Sequence, residues 1–469
     1  MGAGSGQSEA EPAFPLYDLS VRAGFRPRRW AYVLVLALAV AAGLALPPLL
    51  GVWPHTSLRF GFAALVVFEV LKGFWILYTP FLVIIIYGIT SCLGRCFTAV
   101  PDVKPLKGVK VVFEVTSRGF NHSAIASSVA SAVYWGGKYI EDFEVWLVVE
   151  EDARSGFFEE LSRKHGRRLR VLYVPKTYVT ARKTLYKARA LNYAVQVRLR
   201  EGLATDKVWV FLMDEESVVG EDTVVGIVDF IERSSETGKF IGQGLVAYAN
   251  KWGAATIASA GEGLRPVWEL GTECAALKLF GKKFCWKGSN LLVRADVEAS
   301  ITWDFGVLGD DLAFGLIAQE KNRFGWLWGL LYEQSPFTLK DSIRQKVRWY
   351  ENLLDIMLKL KEANLFWRSM VLLELLVWHA SIFGFFLWLL PSPLSPYYLT
   401  LLLGTLVNAA YGVYFNSYFA GTARKDAALK FIATPIALAV IAVAPWIGLV
   451  KYVKDIRSKK EHGFYVVKK

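Results

Sequence analysis

The chain has few of the residues that build disulfide frameworks or zinc sites. It contains four cysteines and five histidines in 469 residues. Cys92 and Cys96 have no second pair to complete a zinc site, and the four cysteines form no disulfide pattern. Zinc-finger and RNA-binding patterns are also missing, so the net charge of +12 does not indicate nucleic acid. Basic residues beside a membrane and a phosphate-bearing ligand explain that charge more simply.

Hydrophobic residues make up 54% of the chain and gather in long apolar segments. Each segment has roughly the 20 residues that a helix needs to cross a bilayer. Buried helices of soluble enzymes rarely run so long without a polar face. The sequence therefore predicts an integral membrane protein with segments at residues 30–52, 60–90, 370–390, 398–419 and 431–450.

The charges beside these segments predict their orientation. Four arginines lie in residues 22–29, whereas the loop at 51–59 carries little charge, so the N-terminus should be cytosolic. The first segment lacks the cleavage site of a signal peptide. Two crossings then return the chain to the cytosol, as in a multi-pass protein of the cell membrane. Pro435 and Pro445 leave open whether the fifth segment crosses, re-enters or lies on the surface.

The polar middle of the chain alternates β-branched apolar runs with helix-like stretches. This pattern predicts an α/β domain with a mostly parallel sheet covered on both faces. In such sheets, ligands bind at the carboxyl ends of the strands. The predicted parts are a cytosolic tail (1–29), two transmembrane helices (30–90), the cytosolic domain (91–340), an amphipathic interface helix (341–364), a transmembrane region of two or three segments (365–450) and a basic tail (451–469).

Carboxylates follow two of the predicted strands. One strand runs into residues 150–152, which read Glu-Glu-Asp, and another runs into residues 214–216, which read Asp-Glu-Glu. Oxygen ligands without nearby histidine suit Mg²⁺ or Mn²⁺. Asp214 and Glu216, two apart on an extended loop, are the predicted metal ligands. For either acidic run taken alone, a solvated loop is the alternative interpretation.

Two further stretches of the middle region carry candidate side chains. Lys187 and Asn192 fall on a basic helix that suits nucleotide phosphates, although an exposed amphipathic helix would look similar. Asp310 and Asp311 open another predicted helix. Asp310 suits a helix cap, which leaves Asp311 as the predicted base that takes a proton from an attacking hydroxyl.

A helix running from Thr338 towards Lys361 carries Gln345, Arg348 and Trp349. Their spacing of i, i+3 and i+4 places them on one face. The leucines that follow suit a helix lying on the membrane surface. Arg348 would then reach a diphosphate while Trp349 borders the acceptor. An ordinary amphipathic connector would explain the leucines but not the polar face.

Together these residues resemble the family 2 glycosyltransferases, which include cellulose, chitin and hyaluronan synthases. The resemblance implies a GT-A fold, a nucleotide-sugar donor and a divalent metal. Residues 187–192 match a Lys-x-x-x-Leu-Asn stretch beside the nucleotide, and residues 345–349 match Gln-x-x-Arg-Trp. Glu151, or Asp152, stands where a nucleotide-contacting carboxylate is expected. We therefore expect the donor to contact Thr116, Glu151, Lys187, Asn192, Asp214, Gln345, Arg348 and Trp349.

Residues 113–119, 303–306 and 333–338 are similar to the egghead-type β-1,4-mannosyltransferases within this family. That resemblance implies GDP-mannose as donor, a lipid-linked glycan as acceptor and inversion to a β-linkage without processive synthesis. The main alternative is a processive synthase that uses a UDP-sugar, which the small number of apolar segments disfavours because a polymer channel must be enclosed in protein. A more remote alternative is a non-enzymatic carrier or receptor, which would not need Asp311.

Overall fold

The computed structural model describes residues 14–51, 76–93, 99–250, 256–385 and 395–458. It begins with a segment that packs on the α/β domain before the first apolar helix. The first helices are α1 (Leu19–Gly24), α2 (Arg29–Leu49) and α3 (Ile76–Cys92). Residues 60–75 of the second predicted membrane segment lie outside the described residues.

An eight-stranded mixed sheet forms the centre of the α/β domain. Its strands are β1 (Leu106–Ser117), β2 (Ile140–Glu150), β3 (Leu169–Val174), β4 (Val208–Asp214), β5 (Val218–Val219), β6 (Lys239–Asn250), β7 (Leu291–Arg294) and β8 (Arg323–Gln334). Their order is β3-β2-β1-β4-β7-β6-β8-β5. The first four strands in this order are parallel, β7 is antiparallel to both its neighbours, and β6 and β8 are parallel.

The parallel half of the sheet forms where the sequence has continuous apolar runs. Residues 111–115 of β1 and 208–213 of β4 are all buried, because helices cover both faces. The register pairs Thr116 with Asp214, so the carboxyl ends of these two strands lie side by side. The predicted α/β class is confirmed, and the sheet is mixed, with four parallel and three antiparallel strand pairings.

Helices cover the sheet and join its strands. They are α4 (His122–Tyr139), α5 (Gly156–His165), α6 (Tyr186–Arg200), α7 (Glu221–Thr237), α8 (Thr256–Gly261), α9 (Leu264–Glu269), α10 (Ala276–Phe280), α11 (Ala295–Ile301) and α12 (Asp310–Lys321). A π-helical segment, Leu270–Ala275, joins α9 to α10. Arg198 of α6 is buried between Glu114 and Glu298 and pairs with both, so α6 is held to β1 and α11 by charge as well as apolar contact.

The chain ends in an amphipathic helix and a group of apolar helices. These are α13 (Leu339–Lys359), α14 (Leu365–Ala380), α15 (Ser395–Phe419), α16 (Arg424–Ile441) and α17 (Ala444–Ser458). Thr338 caps α13 by accepting from the Asp341 amide at 3.1 Å. Helices α2 and α15 approach closely, since a Cβ added at Gly43 would lie 2.4 Å from the Thr400 hydroxyl.

Four helical stretches of the described residues are long and apolar enough to cross a bilayer. They are Arg29–Leu49, Leu365–Phe383, Ser395–Phe419 and Arg424–Asp455, the last comprising α16 and α17. Between α16 and α17 the chain turns at residues 442–443. Helix α17 then packs along α13, where Lys451 pairs with Glu351 at 2.6 Å and the Tyr452 hydroxyl lies 3.1 Å from Asp355.

Candidate active site

A cavity of about 880 Å³ lies at the carboxyl ends of β1, β2 and β4 and extends to the apolar helices. Most of the side chains that the sequence singled out line it. Those that do are Thr116, Asp152, Lys187, Asp214, Glu216, Asp310, Asp311, Gln345, Arg348 and Trp349. Residues that are far apart in the chain are therefore gathered around one space.

Four of the lining residues form a group that we call the acidic cluster: Lys187, Asp214, Asp310 and Asp311. The Lys187 ammonium is ion-paired with Asp214 and donates a hydrogen bond to the Gly288 carbonyl at 3.0 Å. A Cβ added at Gly288 would lie 2.8 Å from Lys187 Nζ and 3.5 Å from Asp311 Cβ. This glycine thus lets Lys187 approach Asp311 from the strand side of the cavity.

The charges in the acidic cluster do not balance, and their pKa values reflect this. Burial and the neighbouring Asp311 charge raise the pKa of Asp310 to about 7. Burial also raises the pKa of Asp311, although Lys187 opposes that change. Burial alone would lower the pKa of Lys187, but the Asp214 and Asp310 charges raise it. The carboxylates are thus held where another cation would stabilise them.

The carboxylates that line the cavity are also the candidate ligands for a metal ion. Within the described residues, no group of three or more histidine, cysteine, aspartate or glutamate side chains is arranged to hold a metal ion. Mg²⁺ and Mn²⁺ usually need only one or two carboxylates because substrate phosphates complete the shell. The Asp310 Oδ2 atom is buried without a hydrogen-bond partner, and Asp214 and Glu216 face the same cavity. These donors fit an ion that arrives with a diphosphate.

Helix α13 supplies another part of the cavity wall. Gln345 is buried, and Trp349 is half-buried beside the Lys346 ammonium, which lies 3.9 Å from the centre of its ring. The start of α12 packs against this helix, since the Leu308 amide donates to Asp355 at 2.9 Å. The predicted base Asp311 and the predicted Gln-x-x-Arg-Trp face therefore line one cavity.

A second group of charged residues was not predicted, and we call it the ion-pair network: Glu262, Arg265, Glu269, Glu273, Lys283, Lys287 and Lys346. Lys346 pairs with Glu262 at 2.7 Å, and Lys287 pairs with Glu269 at 2.9 Å and Glu273 at 3.0 Å. Residues 262, 265, 269 and 273 follow the i, i+3, i+7 and i+11 spacing of one helix face. That spacing is the signal in the sequence that would have found them.

Two predicted donor contacts, Glu151 and Asn192, are not among the residues that line the cavity. The Glu151 carboxylate accepts from the Lys176 amide at 3.0 Å. Asn192 is buried in α6, accepts from the Tyr178 hydroxyl and donates to Thr302 at 3.2 Å. Both side chains hold the loop after β3, while the neighbouring Glu150 and Asp152 line the cavity.

The apolar helices close the far end of the cavity. We call this part the membrane-side wall, and it consists of Val377, Trp378, Leu402, Leu438 and Ile441. These residues come from α14, α15 and α16. The cavity therefore joins a charged end at the sheet to an apolar end among helices that are suited to a bilayer.

The fold and this site define a class of protein. Residues 209–412 match the family described as Glycosyl transferase family group 2. The match covers β4 with Asp214, the start of α12 with Asp311, and α13 with Gln345, Arg348 and Trp349. This part of the chain is therefore similar to the family 2 glycosyltransferases, which confirms the resemblance drawn from the motifs.

Individual relatives show more specifically which glycosyltransferases this part of the chain is similar to. The chain is 33% identical over 193 residues to the β-1,4-mannosyltransferase egh of Drosophila melanogaster, covering 40% of this chain and 41% of that protein. It is 30% identical over 192 residues, with the same coverage, to the β-1,4-mannosyltransferase bre-3 of Caenorhabditis elegans. The chain thus spans about two fifths of the length of the curated relatives it matches.

Among solved structures, the chain is similar to the mannosyltransferase PcManGT from Pyrobaculum calidifontis in complex with GDP-Man and Mn²⁺. The TM-score is 0.45 at 14% identity, over 82% of this chain and 99% of that one.

Proposed function

We propose that the protein is an inverting, metal-dependent membrane glycosyltransferase that moves mannose from GDP-mannose to a lipid-linked glycan and forms a β-linkage. The observation that carries this proposal is the single cavity shared by the acidic cluster, the polar face of α13 and the membrane-side wall. A polar donor and an acceptor with a lipid anchor need such a space with two unlike ends. The names of the egh and bre-3 relatives support mannose as the sugar.

Asp311 acts as the general base in this proposal. It accepts a proton from the acceptor hydroxyl as that oxygen attacks the anomeric carbon of the donor. Its raised pKa makes the carboxylate a stronger base near neutral pH. The Leu312 amide, which donates to Asp311 Oδ1 at 2.8 Å, leaves the other oxygen to face the acceptor.

Lys187 and Arg348 contact the diphosphate from two different elements that line the cavity. Lys187 is a compact cation beside the carboxyl end of β4, and Arg348 presents a planar donor group from α13. Asp214 and Glu216 would hold the Mg²⁺ or Mn²⁺ ion, which when bound would neutralise charge on the leaving diphosphate. Trp349 borders the sugar acceptor.

The proposed topology keeps the catalytic domain in the cytosol and the last two helices on the same side. Helix α15 ends beside the N-terminal segment, where the Tyr418 hydroxyl donates to the Val21 carbonyl at 3.0 Å. Helix α17 returns to α13 through Lys451 and Glu351. Because both ends of the α16–α17 pair lie against parts on the catalytic side, we propose that the pair re-enters the membrane surface without crossing.

The donor assignment is tested with purified protein, Mg²⁺ or Mn²⁺, and a panel of GDP- and UDP-sugars. We expect GDP-mannose to be bound and slowly hydrolysed in the absence of acceptor, and the turnover to stop when the metal is removed with a chelator. Hydrolysis of a UDP-sugar with GDP-mannose ignored would reject the assignment in favour of a processive synthase.

The topology is tested with single cysteines in a cysteine-free background. A cysteine at Lys454 should react with an impermeant maleimide from the same side as one at Lys164, an exposed residue of the catalytic domain. Labelling of the two positions from opposite sides would show that α16 and α17 cross the bilayer.

A further inference from the structure

Helix α14 carries a carboxylate in the middle of an apolar stretch. The helical stretch Leu365–Phe383 has 19 residues and a mean hydropathy of 1.3, and Glu374 is its central residue. The residues on either side of it, 371–373 and 375–377, are valine or leucine. An ionisable side chain at such a position is costly unless it faces a cavity and finds a partner.

Glu374 faces the cavity of the active site. The residues of this stretch that line the cavity are Glu374, Val377, Trp378 and Ser381, which have the i, i+3, i+4 and i+7 spacing of one helix face. Leu372, on another face, is 42% exposed. The Glu374 carboxylate is therefore directed towards the space that holds Asp311, away from the lipid-facing surface.

Within the part of the chain that the structure describes, no hydrogen bond or ion pair involves the Glu374 carboxylate. The cations of the ion-pair network are already paired, since Lys287 contacts Glu269 and Glu273. Cys285, from the loop at 282–289, lines the same cavity, and the Glu374 charge is one of the causes, after burial, that raise the pKa of its thiol. The Glu374 carboxylate thus shares the cavity with this loop and with the membrane-side wall, and it has no hydrogen-bond donor among the described residues.

The missing donor identifies the kind of ligand group. A carboxyl group accepts hydrogen bonds in its ionised and in its protonated form, and in the ionised form it repels phosphate or carboxylate groups. A sugar hydroxyl is a neutral donor, and the Trp378 ring one turn away offers an apolar face to the same sugar. We infer that Glu374 accepts a hydrogen bond from a hydroxyl of the acceptor's sugar and so orients the acceptor towards Asp311. This inference rests on the proposed function and concerns only its acceptor side.

The first test uses Glu374→Leu and Glu374→Gln in protein reconstituted into nanodiscs. The probes are GDP-mannose and a panel of octyl glycosides below their micelle concentration. A hydrogen bond to a charged group predicts that Glu374→Leu lowers kcat/KM for the best octyl glycoside by about 10- to 100-fold, whereas Glu374→Gln lowers it less. Hydrolysis of GDP-mannose without acceptor should stay unchanged in both variants. Leu372→Gln, a polar substitution on another face of the same helix, is the matched control and should change neither rate.

The second test compares octyl glycosides that each lack one hydroxyl. For one of these glycosides, the wild-type protein should transfer mannose as slowly as Glu374→Leu does with the parent glycoside. Glu374→Leu should then show no further loss with that glycoside. An unchanged KM for the acceptor in Glu374→Leu would overturn the inference. So would an equal fall in donor hydrolysis, because that result assigns Glu374 a structural role.

Direct binding separates this inference from the proposed function. Octyl glycoside binding is measured in nanodiscs without any donor, and Glu374→Leu should weaken it by a factor similar to its loss in kcat/KM. If wild-type protein ignores GDP-mannose but still binds the glycoside more tightly than Glu374→Leu does, the proposed donor is wrong and the Glu374 assignment stands. Equal binding by both proteins rejects the Glu374 assignment whatever the donor is.

Discussion

The acidic cluster and the ion-pair network line the same cavity but differ in how their charges are matched. In the network, each glutamate has a cation, as Glu262 has Lys346 at 2.7 Å and Glu269 has Lys287 at 2.9 Å. In the acidic cluster, three carboxylates share one lysine, and burial raises the pKa of Asp310 to about 7. Matched buried charges therefore stabilise the structure of the site, whereas the unmatched carboxylates are available to bind a charged ligand.

This difference separates stability from activity. Removing a carboxylate from the acidic cluster relieves repulsion, so the fold should not weaken while catalysis fails. Removing one member of the ion-pair network leaves an uncompensated buried charge, so the fold should weaken.

The Asp311→Asn substitution is expected to lower turnover by about 10²- to 10⁴-fold, the usual contribution of a general base. The asparagine oxygen can still accept from the Leu312 amide, so donor binding should be retained. The free energy of unfolding should stay equal or rise, because the substitution removes a buried charge. Single-turnover kinetics, donor titration and chemical denaturation measure the three quantities.

The neighbouring Asp310→Asn substitution is the matched control, since it makes the same chemical change at the adjacent position. It should relieve the same repulsion and retain more turnover than Asp311→Asn. If Asp310→Asn removes turnover and Asp311→Asn spares it, the roles of the two residues are reversed.

In the ion-pair network, Lys346→Met is expected to lower the free energy of unfolding by about 3–5 kcal/mol, because Glu262 remains buried without its cation. Adding Glu262→Gln should recover at least half of that loss. Chemical denaturation in detergent, without ligands, measures both. Arg233→Met is the surface control: Arg233 pairs with Asp229 but is 61% exposed, and its loss should cost less than about 1 kcal/mol. Equal losses in the free energy of unfolding for Lys346→Met and Arg233→Met would contradict the prediction that the buried pair stabilises the fold more than a surface pair does.

The two regions also differ in how far the sequence predicts them. Asp214 and Thr116 follow apolar runs, and parallel strands bring their carboxyl ends to one edge, so their meeting could be expected. The spacing of residues 262, 265, 269 and 273 indicates a charged helix face, but the cations that this face meets depend on how it packs against the loop at 282–289, which the local pattern does not specify. Glu151 and Asn192 show another limit of prediction from sequence. Their motifs place both residues near the cavity, but a motif does not determine the direction in which a side chain points.

Lys187→Met is expected to weaken GDP binding by about 10- to 100-fold, the contribution of a charged hydrogen-bond donor. Lys187 is the only cation of the acidic cluster as defined above, so its loss also increases the repulsion among the carboxylates. Lys183→Met is the matched control, because Lys183 is an exposed lysine four residues earlier in the chain and should bind GDP normally. Isothermal titration with GDP and Mn²⁺ compares the variants. Equal affinities would place the diphosphate away from Lys187.

The smallest predicted effect concerns Glu273, which two lysines of the ion-pair network share. Lys283 and Lys287 both contact Glu273 at 3.0 Å. Burial, opposed by Glu273, lowers the pKa of Lys283 to about 8. Between this value and the ordinary lysine pKa of about 10.5, the unfolded chain binds more protons than the folded chain, so stability should rise with pH in that window. Below pH 8 both states are protonated, and the contribution is constant.

The wild-type protein should therefore gain about 1 kcal/mol of stability over Lys283→Met between pH 8 and 9. Chemical denaturation at both pH values gives the difference between the two proteins, which cancels the titration of other groups. Lys282→Met is the matched control, and its difference from the wild type should not change over the same range. A constant difference for Lys283→Met would mean that Glu273 keeps both lysines charged. The ion-pair network would then hold four cations and three glutamates, an excess of positive charge that is opposite in sign to the excess of negative charge in the acidic cluster.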